Sequence, residues 1–88
     1  MKIFRKIRVK NALGLHARPA TVIVKMLQTT KSVVSFTYRK ETVNARSIMS
    51  VLMLAATKNS LIAITVEGDD AQQTMDKLVE LFDKQFGE

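Results

Sequence analysis

The order in which two kinds of hydrophobic pattern follow one another limits the fold of this chain more than any other feature of its sequence. Strand-like segments with alternating or β-branched apolar residues are separated by segments whose apolar residues recur at helical spacing. The predicted strands are residues 2–9, 33–38, 42–44 and 61–66, and the predicted helices are residues 19–28, residues 48–56 and a segment that begins after Asp70. The order βαββαβα, with no repeat or linker, predicts an α+β fold. We expect an open-faced sandwich, with a four-stranded antiparallel sheet and three helices on one face.

The length and composition of the chain indicate how this fold is held together. A chain of 88 residues supports one hydrophobic core, so we expect a single domain over residues 1–88. It has no cysteine, which excludes a disulfide framework and a thiolate metal site and favours the cytoplasm. No apolar run reaches the roughly 18 residues of a membrane-spanning helix, and the basic N-terminus lacks an apolar signal core. We therefore expect a mature, soluble protein that does not insert into membranes.

The charge of the chain is unevenly distributed. The net charge is +6, but residues 1–46 hold 11 of the 14 lysines and arginines and only one acid, Glu41. A basic surface of this kind attracts an acidic partner and raises the rate of association more than the affinity. Charge alone does not distinguish between nucleic acid, anionic lipid and an acidic protein surface.

The core is predicted from the two C-terminal elements. Residues 61–66 form the most apolar strand, which we expect at the centre of the sheet with Ile62, Ile64 and Val66 facing inward. Asp70 and Gln73 have the spacing of a capping box that opens the last helix. The inward stripe of that helix is predicted to contain Ala71, Met75, Leu78, Val79, Phe82 and Phe86.

The segment after Ser47 is unusually apolar for a short helix. Ser47 is a predicted N-cap, and eight of the nine residues from 48 to 56 are apolar. Three are expected to face the core: Val51, Leu54 and Ala55. Three more are expected to be partly exposed, with Ile48 at the border: Met49, Leu52 and Met53. An exposed methionine-rich patch indicates a docking surface, although a helix clamped on both sides would explain the same composition.

His16 is the residue with the clearest chemical role. It is the only histidine, and it lies between the loop residues Leu13 and Gly14 and the helix that begins around Pro19. A histidine has a neutral, nucleophilic form near pH 7, and a helix N-terminus supplies unpaired amides and a positive dipole that favour an anion. Arg18 adds a fixed positive charge whose forked donors match phosphate oxygens. The pattern predicts an anion site beside a nucleophilic or proton-transferring histidine.

A purely structural interpretation of the same residues stays open at this point. His16 could merely cap the helix, with Arg18 a solvated charge. No second histidine, cysteine or paired carboxylate near His16 supports a metal site, and no glycine-rich nucleotide-binding loop occurs. We therefore expect no metal, no cofactor and no self-contained enzyme.

Two stretches of the sequence resemble a known family. Residues 14–20, Gly-Leu-His-Ala-Arg-Pro-Ala, are similar to the active-site signature of HPr, the phosphocarrier of the bacterial phosphoenolpyruvate-dependent sugar phosphotransferase system. Residues 43–49, Val-Asn-Ala-Arg-Ser-Ile-Met, resemble the regulatory-serine motif of HPr proteins that are controlled by HPr kinase/phosphorylase. The two motifs have the separation seen in the family, Glu67-Gly68 also fits, and the resemblance covers essentially the whole chain.

The resemblance implies a function and its site residues. By it, His16 is phosphorylated on Nδ1 by phosphorylated enzyme I, Arg18 steadies the phosphoryl group, and Ser47 is a regulatory phosphosite. The acceptors would be EIIA-type or other phosphoacceptor proteins, and the chain would be a monomer that acts as a carrier and not as an enzyme. The positions that match partner-docking residues of the family are Ala17, Ala20, Lys25, Arg46, Ile48, Met49 and Leu52.

The chain departs from the family pattern at several glycines. Family members often have glycine near the end of the second helix, in the following turn and in the hairpin. This chain has Ala55-Ala56, Lys58-Asn59 and Arg39-Lys40-Glu41 at those places, which leaves the local backbone in question.

Two other functions are compatible with parts of the sequence. A regulatory paralogue would act through phosphorylated Ser47 without carrying phosphate on His16. An RNA-binding RRM module shares the βαββαβ order, but no segment carries its aromatic base-stacking motif, so we expect no nucleic-acid binding.

Overall fold

The backbone follows the predicted order of strands and helices. The computed structural model describes residues 1–88. The elements are β1 (Lys2–Arg8), α1 (Ala17–Leu27), β2 (Val33–Tyr38), β3 (Glu41–Asn44), α2 (Ile48–Met53), β4 (Leu61–Glu67) and α3 (Ala71–Asp83), followed by a 3₁₀ turn, Gln85–Gly87. No helix here has the length and apolar character needed to cross a membrane.

The four strands form one antiparallel sheet in the order β1-β4-β2-β3. The central position predicted for residues 61–66 is confirmed, because β4 pairs with β1 on one side and with β2 on the other. Alternate residues of β4 and β2 point to the helices, and Ile62, Ile64 and Phe36 have no exposed surface. The opposite face carries polar and exposed residues such as Thr65 and Phe4. The sheet therefore has one packed face and one open face, as predicted for an open-faced sandwich.

The turn between β2 and β3 is tight although it contains no glycine. Arg39 and Lys40 have φ angles of +50° and +69°, which place both residues in the left-handed region, as in a type I′ turn. The sequence predicts Glu41 as part of the turn, but it is the first residue of β3 and pairs with Tyr38. The twist of the paired strands favours this turn. The turn therefore holds the backbone of Arg39 and Lys40 in a conformation that glycine or asparagine normally adopts.

Helix α1 begins two residues earlier than predicted, at Ala17. Pro19 is its third residue, a position where the missing amide hydrogen has no partner in any helix. The predicted inward face is confirmed for Ala20, Ile23 and Leu27, which are buried. This start places His16 directly before the first helical residue.

Helix α2 is shorter than predicted and ends at Met53. Val51 and Leu54 face the core as expected. The inward prediction for Ala55 is wrong: its φ of +52° turns the chain out of the helix, so Ala55 is exposed and Ala56 is buried in its place. A left-handed residue after the last turn is a common way to end a helix.

The predicted capping box at the start of α3 is wrong. The Asp70 side chain makes no capping hydrogen bond to α3. Its carboxylate accepts hydrogen bonds from the Lys31 amide, at 2.8 Å, and from the Ser32 hydroxyl. These bonds lower the pKa of Asp70, with the Ser32 bond as the largest cause. Asp70 therefore ties α3 to the loop before β2.

Phe86 is buried as predicted, but it does not lie on α3. The helix ends at Asp83, and Phe86 lies in the 3₁₀ turn with a φ of +57°. Its ring packs edge-on against Phe82 with the ring centroids 4.9 Å apart. The contact folds the C-terminal segment back over the core.

Candidate functional site

The loop before α1 is closed by hydrogen bonds at both of its ends. The Asn11 side chain is fully buried, and its Nδ2 donates to the carbonyl oxygen of Gly14 at 2.7 Å. The Gly14 amide donates back to the Asn11 carbonyl at 3.2 Å, and the Leu15 amide donates to the Ala56 carbonyl at 2.9 Å. Leu15 is also buried. The backbone directly before His16 is therefore held in place.

Gly14 is required by the geometry of this loop. Its φ is +68°, and a Cβ atom at this position would lie 2.3 Å from the carbonyl oxygen of Ala56. That separation is far below van der Waals contact, and the obstacle is backbone that cannot swing away. Gly14 therefore allows the loop to approach the segment after α2 closely enough for the Leu15 hydrogen bond.

His16 is held by a carboxylate from the other end of the chain. The Nε2 atom of His16 lies 2.8 Å from Oε2 of Glu88. The second oxygen of Glu88, Oε1, accepts a hydrogen bond of 2.8 Å from Nδ2 of Asn11. About a third of the His16 side chain stays exposed, and its Nδ1 atom has no hydrogen-bond partner. The Nε2 contact thus orients the ring, while Nδ1 makes no hydrogen bond within the protein.

The charge on Glu88 decides where the histidine proton lies. The hydrogen bond from His16 lowers the pKa of the Glu88 carboxyl, and the Asn11 bond and the nearby charges of His16 and Arg18 lower it further against an opposing effect of burial. Glu88 is therefore ionised near neutral pH, and an ionised carboxylate can only accept hydrogen bonds. The proton in the pair lies on Nε2, which leaves a free electron pair on Nδ1.

The N-terminus of α1 provides unpaired donors next to His16. The amides of Ala17 and Arg18 have no backbone acceptor, and Pro19 has no amide hydrogen. The Arg18 side chain is exposed and makes no hydrogen bond or ion pair, although its charge reaches Glu88. Two free amides, the helix dipole and a free guanidinium favour an anion at this end of the helix. The arrangement can bind an anionic group beside a nucleophilic nitrogen.

Ser47 caps α2 as predicted. Its Oγ atom accepts a hydrogen bond from the Ser50 amide at 3.3 Å. The helix that it caps carries exposed apolar side chains: Met49 and Met53 have 67% and 77% of their surface accessible. The alternative of a helix clamped on both sides is therefore wrong, because one face of α2 has no partner.

The predicted docking residues divide into three groups. Ile48 and Met49 are exposed on α2, and Leu52 is half-buried beside them. Ala17 and Lys25 are exposed on α1, which packs against α2. The structure thus places these five residues on two neighbouring helices.

The other two predicted docking residues have different surroundings. Ala20 has no exposed surface, because it lies on the inward face of α1, so its prediction as a contact residue is wrong. Arg46 donates hydrogen bonds to the carbonyls of Leu27 (2.6 Å), Thr30 (3.0 Å) and Ser32 (2.8 Å). Its guanidinium is committed to the end of α1, so it does not project freely toward a partner.

Asn11 and Glu88 are site residues that no sequence pattern identifies. They are 77 positions apart, and no local pattern connects them. The only signal is an asparagine three residues before a glycine in a predicted loop, which indicates a turn but no contact with the C-terminus. No group of three or more metal-ligating side chains is arranged to hold a metal ion.

Comparison with known proteins identifies the family. A family model described as PTS HPr component phosphorylation site matches residues 3–84. The phosphocarrier protein HPr of Chlamydia muridarum is 45% identical over 80 residues, which are 91% of this chain and 77% of that protein. The crystal structure of HPr-C-His from Thermoanaerobacter tengcongensis has a TM-score of 0.93 and 34% identity, and the match covers 98% of this chain and 97% of that chain. The crystal structure of an HPr dimer from the same organism has a TM-score of 0.78 and 35% identity, and covers 93% of this chain and 94% of that chain. The chain belongs to the HPr family, the phosphocarrier proteins of the phosphotransferase system.

Proposed function

We propose that this protein carries a phosphoryl group on Nδ1 of His16, which it accepts from phosphorylated enzyme I and passes to an EIIA-type or other acceptor protein in the cytoplasm. One observation carries the proposal. Nε2 of His16 lies 2.8 Å from the Glu88 carboxylate, and because an ionised carboxylate can only accept a hydrogen bond, we assign the proton to Nε2 and the nucleophilic electron pair to Nδ1.

The transfer step follows from these contacts. The Nδ1 electron pair of His16 attacks the phosphorus atom and forms a bond between nitrogen and phosphorus. The bond between phosphorus and the donor breaks, and its electron pair stays on the donor. The imidazole keeps its Nε2 proton and becomes positively charged, and the Glu88 carboxylate stabilises that charge. The amides of Ala17 and Arg18 have no backbone acceptor and the Arg18 guanidinium is unpaired, so we propose that these groups donate hydrogen bonds to the phosphoryl oxygens. Transfer to the acceptor reverses these steps.

The partners are proposed to dock on the exposed faces of α1 and α2. Ile48, Met49 and Leu52 supply an apolar surface, and Lys25 and Arg18 supply positive charge that attracts an acidic protein. Because electrostatic attraction mainly raises association rates, we expect the KM for the donor to increase with salt.

The test of the carrier function is direct phosphorylation. The protein is incubated with phosphoenolpyruvate and enzyme I, and the product is tested for a phosphate that is labile in acid and stable in base. Arg18→Ala should slow transfer without preventing it, because the guanidinium stabilises the moving group but is not the nucleophile. Lys25→Ala, which removes one charge from the same helix, is the control and should change KM only. Equal kcat values for Arg18→Ala and the parent would show that Arg18 is only a solvated charge.

We also propose that phosphorylation of Ser47 by an HPr kinase/phosphorylase regulates docking. Ser47 lies at the start of α2 beside the exposed Ile48 and Met49, where a phosphate would add about −1.5 to −2 charges. Arg46 cannot neutralise this charge in the present conformation, because its guanidinium is held by three carbonyls. The added charge should therefore repel an acidic partner.

Acidic substitutions test the regulatory proposal. Ser47→Asp should raise the KM of His16 phosphorylation, whereas Ser47→Ala should transfer normally and lose about 0.5–2 kcal/mol of stability with the cap. Ser50→Asp places the same charge one turn away and is the matched control. If Ser47→Asp behaves as the parent, and a purified HPr kinase leaves the protein unmodified, Ser47 is only a cap. A protein that is modified on Ser47 but never on His16 would be a regulatory paralogue.

We expect the carrier to be a monomer, although one solved relative is described as a dimer. Docking through α1 and α2 requires that these faces be free. The molar mass in solution, measured by light scattering at several concentrations, tests this expectation. A stable dimer at every concentration would contradict it.

A further inference from the structure

The side chain of Asn11 makes a second hydrogen bond, to Glu88, in addition to the one that closes its own loop. Its two amide hydrogens go to the Gly14 carbonyl and to Oε1 of Glu88, at 2.7 and 2.8 Å. Its Oδ1 atom is buried without a partner. A reversed amide would direct this oxygen at two other acceptors, a carbonyl and a carboxylate, so only the observed orientation is favourable. The buried amide is therefore a fixed donor that faces Glu88.

The C-terminal segment adopts an uncommon backbone conformation on its way to the site. Gln85 and Phe86 have φ angles of +54° and +57°, and Gly87 has a φ of +80°. Non-glycine residues rarely enter this region, and two in succession are held there only when the surroundings require it. The buried Phe86 ring anchors the segment, which then delivers the Glu88 carboxylate between Asn11 and His16.

We propose that Asn11 and Glu88 are positioning residues that select Nδ1 of His16 as the phosphoryl acceptor. Asn11 fixes the carboxylate, and the carboxylate fixes the proton of His16 on Nε2. This inference rests on the proposed carrier function but concerns the ring before any phosphoryl group arrives. Neither residue bonds to Nδ1, since Glu88 contacts the ring at Nε2 and Asn11 contacts Glu88.

Glu88→Gln gives a result that distinguishes positioning from packing. The Asn11 amide hydrogen would hold the introduced glutamine side chain with its oxygen toward Asn11, so its amide nitrogen would face His16 and donate to Nε2. His16 would then carry its proton on Nδ1, where the nucleophilic electron pair is needed. Glu88→Ala removes the partner altogether and leaves both tautomers accessible. Phosphorylation should therefore be slower in Glu88→Gln than in Glu88→Ala. If Glu88 acted only through packing, the truncated variant, Glu88→Ala, would be the slower of the two.

The proposal is tested by measuring the tautomer of His16 and the rate of phosphorylation. Because His16 is the only histidine, ¹⁵N NMR of the ring at a pH about two units above the ordinary histidine pKa of about 6.5 reports one tautomer equilibrium. We expect the proton on Nε2 in the parent, on Nδ1 in Glu88→Gln, and a mixture in Glu88→Ala. The kcat for phosphorylation should fall at least about tenfold in Glu88→Gln and less in Glu88→Ala, with KM unchanged in both.

Further variants separate the role of Asn11 and the effect of charge. Asn11→Ala in the Glu88→Gln background frees the glutamine amide to turn over, so the proton should return toward Nε2. Glu80→Gln, an exposed glutamate on α3, is the control for loss of one negative charge and should behave as the parent. The proposal is overturned if Glu88→Gln keeps the parent tautomer and kcat, or if Glu88→Ala is the slower variant. If enzyme I phosphorylates none of the proteins, the carrier function fails, whereas the tautomer measurement still decides the positioning claim.

Discussion

Replacement of Arg46 by methionine is expected to destabilise the fold and to leave partner binding unchanged. Methionine keeps an apolar stem of similar length but removes every hydrogen bond that the guanidinium donates. The carbonyls of Thr30 and Ser32 then lose their only protein donor. The Leu27 carbonyl is less affected, because it also accepts from the amide and hydroxyl of Thr30.

The expected loss of stability follows from these two carbonyls. A buried acceptor left without a partner costs about 1–3 kcal/mol. The two carbonyls fall near the lower limit because Arg46 itself is only half-buried, so water can reach them in part once the guanidinium is removed. Loss of a positive charge from the C-terminal end of α1 adds about 0.3–1 kcal/mol. We therefore expect Arg46→Met to lower the free energy of unfolding by about 2–3 kcal/mol, which corresponds to a decrease in Tm on the order of 10 °C for a domain of this size.

Urea unfolding at pH 7 measures this loss, with Lys31→Met as the control. Lys31 lies in the same loop and its side chain makes no hydrogen bond, so that variant should remain within about 0.5 kcal/mol of the parent. The KM of Arg46→Met for phosphorylated enzyme I should match that of the parent well below its Tm. An Arg46→Met variant as stable as Lys31→Met, or one with a raised KM, would refute the assignment of Arg46 to the end of α1.

Three further predictions concern single residues of the fold. Gly14→Ala should cost about 2–4 kcal/mol and slow phosphorylation, since its Cβ meets the Ala56 carbonyl at 2.3 Å; unfolding in urea checks the first effect, and unchanged stability would contradict the interpretation. Ala55→Gly should stabilise the protein by about 1 kcal/mol, because glycine adopts its φ of +52° without strain; a lower Tm would disprove this. Asp70 has a lowered pKa in the folded protein, so its contribution to stability is complete above the ordinary aspartate pKa of about 3.9 and is lost as the pH falls through the folded-state pKa. The difference in unfolding free energy between the parent and Asp70→Asn should accordingly be largest near pH 7 and should disappear in acid. A difference that does not change with pH would argue against the Ser32 and Lys31 bonds as its origin.

The parts of the fold that the sequence predicts correctly are those set by neighbouring residues. The centre of the sheet follows from Ile62, Ile64 and Val66, because β-branched residues at alternate positions pack on one face wherever the strand lies. His16 and Ser47 are likewise found from local signals, a loop-to-helix junction and a hydroxyl before an apolar run. In each case the physical cause lies within one or two turns of the residue.

The parts that could not be predicted depend on partners that are distant in sequence. Asp70 has the position of a cap, but Ser32 competes for its carboxylate from 38 positions away. From the sequence, Arg46 looks like a solvated charge available for docking. In the fold, however, carbonyls at the end of α1 lie within hydrogen-bond distance of its guanidinium. The contact of Glu88 with His16 depends on how the last residues fold back over the core, which no local pattern specifies.

The most direct test of the account is the chemical position of the phosphoryl group after reaction with phosphoenolpyruvate and enzyme I. Intact mass determines how many groups are added, and ³¹P and ¹⁵N NMR of the ring-labelled protein determine which nitrogen carries them. We predict one acid-labile phosphoryl group on Nδ1 of His16 in the parent, and none in His16→Ala with its fold intact by circular dichroism. Phosphorylation on Nε2, or an acid-labile phosphate on the folded His16→Ala protein, would contradict the account.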